Sequence, residues 1–324
     1  MNNPRWDGPP RPTSPQRPRG TVYRSAAAAT PSTRTPQRRR RLPGRLALVA
    51  VLLACVGTAG VVVAGHRLSA AAHAGRGGVP AGSAASTAAA GAPVLTPRTV
   101  DVSVDGFLSW SLLDRRTGAI SGSANHADAT SSTESMIKVW IAADYLRQQA
   151  AGGGTPTQQR LAELTTMIRD SDDLAAEDIY RLDGGNAVVS RMISTCGLTG
   201  TTAVNGWWSR TQVTADDAAR LGLCVADGRA AGRTWTPWIL TQMRQVRGEG
   251  RFGVVDALPA STAATTAIKN GWTLINADGS WHVACLAVQD RWVLSVLTRY
   301  DGSRGLSYGA GVCADVTRQL MTDS

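Results

Sequence analysis

SSTESMIKVWIAADYLRQQ, residues 131–149, is the stretch from which the rest of the chain can be read. Ile137, Ile141 and Leu146 recur at helical spacing, and Thr133 stands before the run as a candidate N-cap, so the pattern predicts a helix. Ser135 and Lys138 lie three residues apart, on one face of its first turns. An amine within reach of a hydroxyl is the minimum arrangement for a base-activated serine nucleophile. The use of basic residues sharpens the reading. Of the 34 Lys+Arg in the chain, the only lysines are Lys138 and Lys269. Arginine keeps its proton inside a protein, whereas a desolvated lysine can lose it and act as a base. Two lysines in a chain otherwise confined to arginine mark two positions where a guanidinium would not serve.

Towards the N-terminus the character changes sharply. Residues 1–45 hold 11 Arg against one Asp, a net of +10, which equals the charge of the whole chain, so residues 46–324 balance to zero. The basic charge therefore belongs to a Pro, Arg, Ser and Thr-rich tail that has little to bury and is expected to be disordered and cytoplasmic. It gives no reason to expect a nucleic-acid partner. Residues 46–65, LALVAVLLACVGTAGVVVAG, are twenty positions without a charge, preceded by Arg38–Arg41 and Arg45. That length spans a bilayer as a helix, and the basic flank places the following chain outside the cell. Cys55 falls in the middle of this run rather than at its end, unlike a lipoprotein processing box, so the reading is a single-pass anchor. Residues 66–96 are an Ala, Gly and Ser-rich tether, leaving 97–324 as the outer domain.

Four cysteines lie beyond the apolar run, an even number in an oxidising compartment. Cys196 and Cys224 fall among predicted helices, Cys285 on a strand and Cys313 on the last helix. The expected bridges are Cys196–Cys224 and Cys285–Cys313. His66, His73, His126 and His282 are scattered without ligand spacing, so neither a metal nor another cofactor is expected.

Gly106–Leu113 and Ala119–Ala124, joined by DRRTG, read as a hairpin. Helical signals follow at Gln158–Asp170, Asp172–Leu182, Ala187–Cys196, Ala215–Asp227 and Pro237–Val246. Ala267–Ile275, Trp281–Val288 and Trp292–Tyr300 then read as an antiparallel meander, and a helix over about Ser307–Met321 closes the chain. The order predicts an α/β (α+β) fold: a five-stranded antiparallel sheet assembled from both ends of the domain, flanked by helices and interrupted by a helical lobe.

Two further segments carry chemistry. Ser171-Asp172-Asp173 opens SDDLAAE at a helix start, and Lys269-Asn270-Gly271-Trp272-Thr273 lies on the first strand of the meander. The order S-x-x-K, S-D-N-like, K-T-G-like resembles the penicillin-recognising serine enzymes, specifically the class A β-lactamase-like group, over roughly residues 105–322. SDDLAAE is similar to that family's S-D-N-x-A-A-N run, and WWSRTQVTADDAARL to its segment after the omega loop. The resemblance implies an acyl-enzyme on Ser135, with Lys138 as its base, Ser171 relaying the proton to a leaving nitrogen, and Lys269 anchoring a substrate carboxylate. Backbone N–H groups of Ser135 and Trp272 would form the oxyanion hole, with Asp173, Asn270, Gly271 and Thr273 around the substrate. It also implies a cell-wall peptide or a β-lactam-like small molecule as partner.

Departures from the pattern bear on activity. Asp173 stands where the family has Asn, Asn270 replaces a hydroxyl residue, and Trp272 is far bulkier than the small residue usual there. LTGTTAVNGWWSRTQ, residues 198–212, contains no acid, so the omega-loop Glu that drives class A deacylation is missing. Slow or absent turnover follows, and with it a second reading, a degenerate binding or scaffold protein on the same fold. Gly305-Leu306-Ser307-Tyr308-Gly309 matches G-x-S-x-G, but none of the fifteen residues after it is His, so an α/β-hydrolase elbow is not expected and the glycines are read as shaping the turn into the last helix.

Overall fold

The computed structural model describes residues 95–322; the basic tail, the apolar run and nearly all of the tether lie outside the described residues. Among the described residues, no helix is long and apolar enough to cross a membrane. Leu95 and Thr96, assigned to the tether from sequence, are already docked on the domain. Leu95 is buried and bridges Met321, and Thr96 N–H donates to Leu320 O at 2.9 Å.

The sheet is built from β1 (Gly106–Asp114), β2 (Ile120–Gly122), β5 (Ala267–Ile268), β6 (Gly271–Ile275), β7 (Ser280–Val288) and β8 (Trp292–Asp301). All pairings are antiparallel, in the order β2-β1-β8-β7-β5, with β6 also on β7. β5 and β6 are two halves of one strand. Ile268 pairs with Ala287 and Gly271 with Ala284, three residues later on one strand and three earlier on the other, so the register runs unbroken through Lys269 and Asn270. Five strand positions result, contributed by both ends of the domain.

β7 and β8 read as apolar runs because both faces of each are covered. The side chains of Leu286 and Val288 meet α5 (Ala215–Ala226) at Gly222, whereas the odd-numbered Val283 and Cys285 face α9 (Gly305–Leu320). Alternation along the strand assigns one face to each helix. The Cys285–Cys313 bridge ties β7 to α9, and Cys196–Cys224 ties α4 (Asn186–Cys196) to α5. Gly253 lies against the first bridge at φ 82°, where a Cβ would sit 2.9 Å from Cys285 Sγ, so no larger residue fits.

The helical lobe surrounds α1 (Lys138–Ala151), whose residues from Lys138 to Leu146 are buried on every side. A helix enclosed on every side belongs in a core. Against it pack α2 (Gln158–Arg169), α3 (Asp173–Leu182), α4, α5 and α6 (Gly232–Arg244). α6 begins before Pro237, which lies inside it, so the sequence-based start at Pro237 was late. Short helices α7 (Val254–Ala257) and α8 (Ala260–Thr265) return the chain to the sheet.

The decisive stretch differs from its sequence reading. Residues 130–132 form strand β3, paired with β4 (Gln212–Thr214) in a separate two-stranded sheet. Glu134–Ile137 is a 3₁₀ turn, and the α-helix starts only at Lys138. Thr133 makes no capping hydrogen bond. The interruption is Glu134, held at φ 47°, a left-handed conformation that non-glycine residues rarely adopt.

Candidate active site

The 3₁₀ turn places Ser135 on the wall of a cleft of about 610 Å³ between the helical lobe and the edge of the sheet. Ser171, Asp173, Trp272 and Thr273 line the same cleft, with Glu134, Glu177, Trp207 and Trp208 among the others. Lys138 and Lys269 stand behind it, both fully enclosed. The four residues singled out for catalysis thus converge from four separate elements, although their contacts are not those the spacing alone suggests.

Lys138 Nζ does not bond Ser135. It donates to Asp173 Oδ1 at 2.5 Å, to Ser171 O at 2.5 Å and, more loosely, to Ser171 Oγ at 3.4 Å. Lys269 Nζ donates to Ser171 Oγ at 2.9 Å and to Asn270 O at 3.2 Å. The two amines therefore meet at one hydroxyl. Ser171 is aimed between them by a backbone at φ 61°, the second strained non-glycine residue in the domain. Burial pushes both amines below the ordinary lysine value. Lys269 is driven well below it, by desolvation first and then by the charge of Lys138. At Lys138, desolvation is opposed by the hydrogen bond and the charge of Asp173, leaving a smaller net drop.

Gly271 brings strand and turn together. A Cβ there would fall 2.4 Å from Thr133 O and 2.7 Å from Ser135 N, so glycine is required for the edge of β6 to reach the backbone of Ser135. Lys269 N–H donates to Leu286 O across the ladder. Alternation then leaves the Trp272 N–H on the unpaired edge of the strand. Trp272 packs edge-to-face on Phe252, with ring centroids 5.6 Å apart, and forms the floor of the cleft on that side.

Two expected roles do not fit the geometry. Asn270 is buried and its amide is used up inside the wall, donating to Gly250 O at 3.0 Å and Phe252 O at 2.9 Å, so it presents nothing to a substrate. Lys269 is sealed behind Ser171 rather than open to a carboxylate. The cleft lining instead carries Glu134, Asp170, Asp173, Glu177 and Glu249, and neither lysine.

Sequence reasoning missed several residues here. Trp208 lies 5.4 Å beneath Lys138 Nζ and donates its indole N–H to Glu177 Oε2 at 2.9 Å. Glu134 accepts from Ser132 Oγ at 2.6 Å, and its other oxygen lies 2.7 Å from the hydroxyl of Thr273. Only the adjacency of Glu134 to Ser135 could have signalled it.

No family model matches the chain. Among solved structures, it superposes on a variant of a reconstructed ancestral class A β-lactamase of Gram-negative bacteria, with 18% identity, 66% of this chain, 91% of that one and a TM-score of 0.50. A β-lactamase from Chitinophaga pinensis gives 17% identity, 66% and 92% coverage and a TM-score of 0.53. The TLA-3 extended-spectrum β-lactamase gives 14%, 66%, 93% and 0.54. The fold is that of the class A β-lactamases. At such identities the β-lactamase-like likeness is one of architecture. In sequence, the chain is 34% identical over 179 residues to proteins of Mycobacterium tuberculosis and Mycobacterium bovis named "Putative lipoprotein LppW", covering 51% of this chain. It spans about half the length of these relatives, 54%.

Proposed function

We propose that this protein is a membrane-attached, extracytoplasmic serine acyl-transfer enzyme. It would act on a cell-wall peptide or related amide through an acyl-enzyme on Ser135, with little β-lactamase turnover. The observation that carries this reading is the convergence of the chain's only two lysines, both buried, on Ser171 beside the cleft that holds Ser135. Amines that burial pushes towards the neutral form, enclosed in a β-lactamase-like fold, have a use in proton transfer that a structural core does not require.

In the first step Ser135 Oγ bonds the carbonyl carbon and its proton passes to neutral Lys138, which must leave Asp173 to receive it. The scissile C–N bond then breaks as the proton reaches the departing nitrogen through Ser171. The N–H groups of Ser135 and Trp272 stabilise the oxyanion. Residues 198–212 supply no carboxylate to activate water, so the ester persists until an acceptor amine or slow hydrolysis removes it. A wall of carboxylates with the lysines sealed off disfavours substrates that carry their own carboxylate near the scissile bond, ordinary penicillins among them.

Attachment to the membrane rests on residues 46–65, read as a span. The name of the mycobacterial relatives favours a second form of anchor, a lipid on Cys55. Radiolabelled fatty acid incorporated by the wild type but not by Cys55→Ser would decide for the lipid. Intact-protein mass spectrometry after incubation with β-lactams and with activated acyl esters that carry no carboxylate beside the scissile bond tests the chemistry. The wild type should gain the acyl mass and Ser135→Ala should not. Wild-type protein that takes up no probe points to the binding reading, which the hold of Asp173 on Lys138 favours.

A further inference from the structure

A second set of residues in the domain has the geometry of a serine–histidine–aspartate triad. His282 Nδ1 lies 2.8 Å from Ser132 Oγ, and His282 Nε2 lies 2.9 Å from Asp278 Oδ2. It is not a second nucleophilic centre, because Ser132 is enclosed and its hydroxyl is already 2.6 Å from Glu134 Oε1. The contacts make one chain instead: Asp278, His282, Ser132, Glu134. Its far end is the strained residue immediately before Ser135. Thr273, which pairs with His282 across the β6–β7 ladder, closes on the other oxygen of Glu134.

Counting protons gives the chain a direction. A carboxylate at each end accepts, and the single proton of Ser132 goes to Glu134. Ser132 must then accept from His282 Nδ1–H, while Asp278 must accept from Nε2–H. Only imidazolium has both protons. Neutral His282 leaves one link unmade, and the strained turn at Glu134 loses part of what holds it.

We propose, resting on Ser135 as the nucleophile, that Asp278, His282, Ser132 and Glu134 are positioning residues forming a proton-dependent relay that sets the turn carrying Ser135. The groups facing His282 are Asp278 on the β6–β7 turn, Glu134 on the 3₁₀ turn, with Arg210 3.5 Å behind it, and Arg299, its partner on β8. Burial lowers the imidazole below its ordinary 6.5; Asp278 and Glu134 raise it, and Arg299 lowers it. The relay is complete at low pH and opens as pH rises through the lowered imidazole pKa, below 6.5. The Lys138 base works in the opposite sense, gaining as pH rises.

NMR titration of the full chain in detergent, with serine amides and histidine rings labelled with ¹⁵N, tests this. The Ser135 amide should inflect at the His282 pKa, below 6.5, and the inflection should vanish in Ser132→Ala while His282 still titrates. Asp278→Asn, at an exposed carboxylate, should shift both inflections down together and serves if Ser132→Ala does not fold. A Ser135 amide that is flat through the His282 transition, or that keeps its inflection in Ser132→Ala, overturns the relay. With an acylating probe, His282→Gln should slow adduct formation by roughly 10–100-fold, the scale of a small misplacement of a reacting atom. A wild type that never forms an adduct defeats the functional reading, and the amide titration still decides the relay.

Discussion

Helix α1 buries two charged side chains, Lys138 at its start and Asp144 six residues on, and the protein compensates them differently. Asp144 is fully enclosed and paired with Arg147 and Arg191, the latter at 2.7 Å through Nε and 2.6 Å through Nη2. Lys138 is equally enclosed, but among the described residues its only carboxylate ion-pair partner is Asp173, whose side chain is 80% exposed. One charge is locked by guanidinium groups that cannot release a proton; the other is tethered to a group that solvent or a ligand can compete for. A buried charge fully matched by arginine holds a lobe together, whereas a buried amine with a detachable partner remains available for chemistry.

The sharpest way to break this contrast is to give Lys138 the other kind of side chain. Lys138→Arg keeps the charge but removes a base. Adduct formation in mass spectrometry should fall by about 10²–10⁴, the usual contribution of general-base catalysis. An arginine variant that acylates at the wild-type rate would remove Lys138 from the mechanism. The counterpart at the structural site is Asp144→Ala, which strands Arg147 and leaves Arg191 with Asp183 alone. Breaking one side of a buried pair costs about 3–5 kcal/mol, so urea unfolding should show a loss of that size. A small loss would mean that the two clusters are not different in kind.

The contrast also explains what could be read in advance. The meander was legible because β7 and β8 are buried on both faces and so run apolar, and the bridges because each cysteine could be assigned to an element. The helical lobe was legible from its 3.6-residue periods and glycine stops. The β3–β4 sheet was not: two three-residue strands about eighty positions apart carry no period, and only their pairing defines them. Nor was the late start of α1, because the left-handed Glu134 is fixed by Ser132 and Thr273, contacts made through the fold rather than along the chain. The site residues were visible as motifs, but not the direction of their side chains. Asp173 read as a lost amide donor; in the structure it is the partner that turns Lys138 away from Ser135.

That partner can be removed. Asp173 raises Lys138 against the lowering by burial, so Asp173→Asn should drop its pKa further and leave more neutral amine near neutral pH. A drop of one unit corresponds to about a tenfold gain in adduct formation, visible near neutral pH and absent well above the amine's pKa. A gain that persists at high pH would assign the effect to binding instead.

The last test belongs to Asp183, which shares Arg191 with Asp144 at 3.0 Å. Its carboxyl is pushed up to about 7, first by desolvation and then by the neighbouring carboxylate of Asp144, with Arg191 pulling the other way. For an acid raised in the folded state, the fold favours the protonated form. The stability it contributes is present below the ordinary 3.8 and is lost as pH rises through about 7. Asp183→Asn mimics the protonated acid at every pH, so its melting temperature relative to wild type should climb between about pH 4 and pH 8. A shift from 3.8 to about 7 corresponds to a climb on the order of 4 kcal/mol, roughly 10 °C in a domain of this size. A difference that does not change with pH would mean that Arg191 already compensates both carboxylates in full. The structural cluster would then be as completely matched as the site at Lys138 is not.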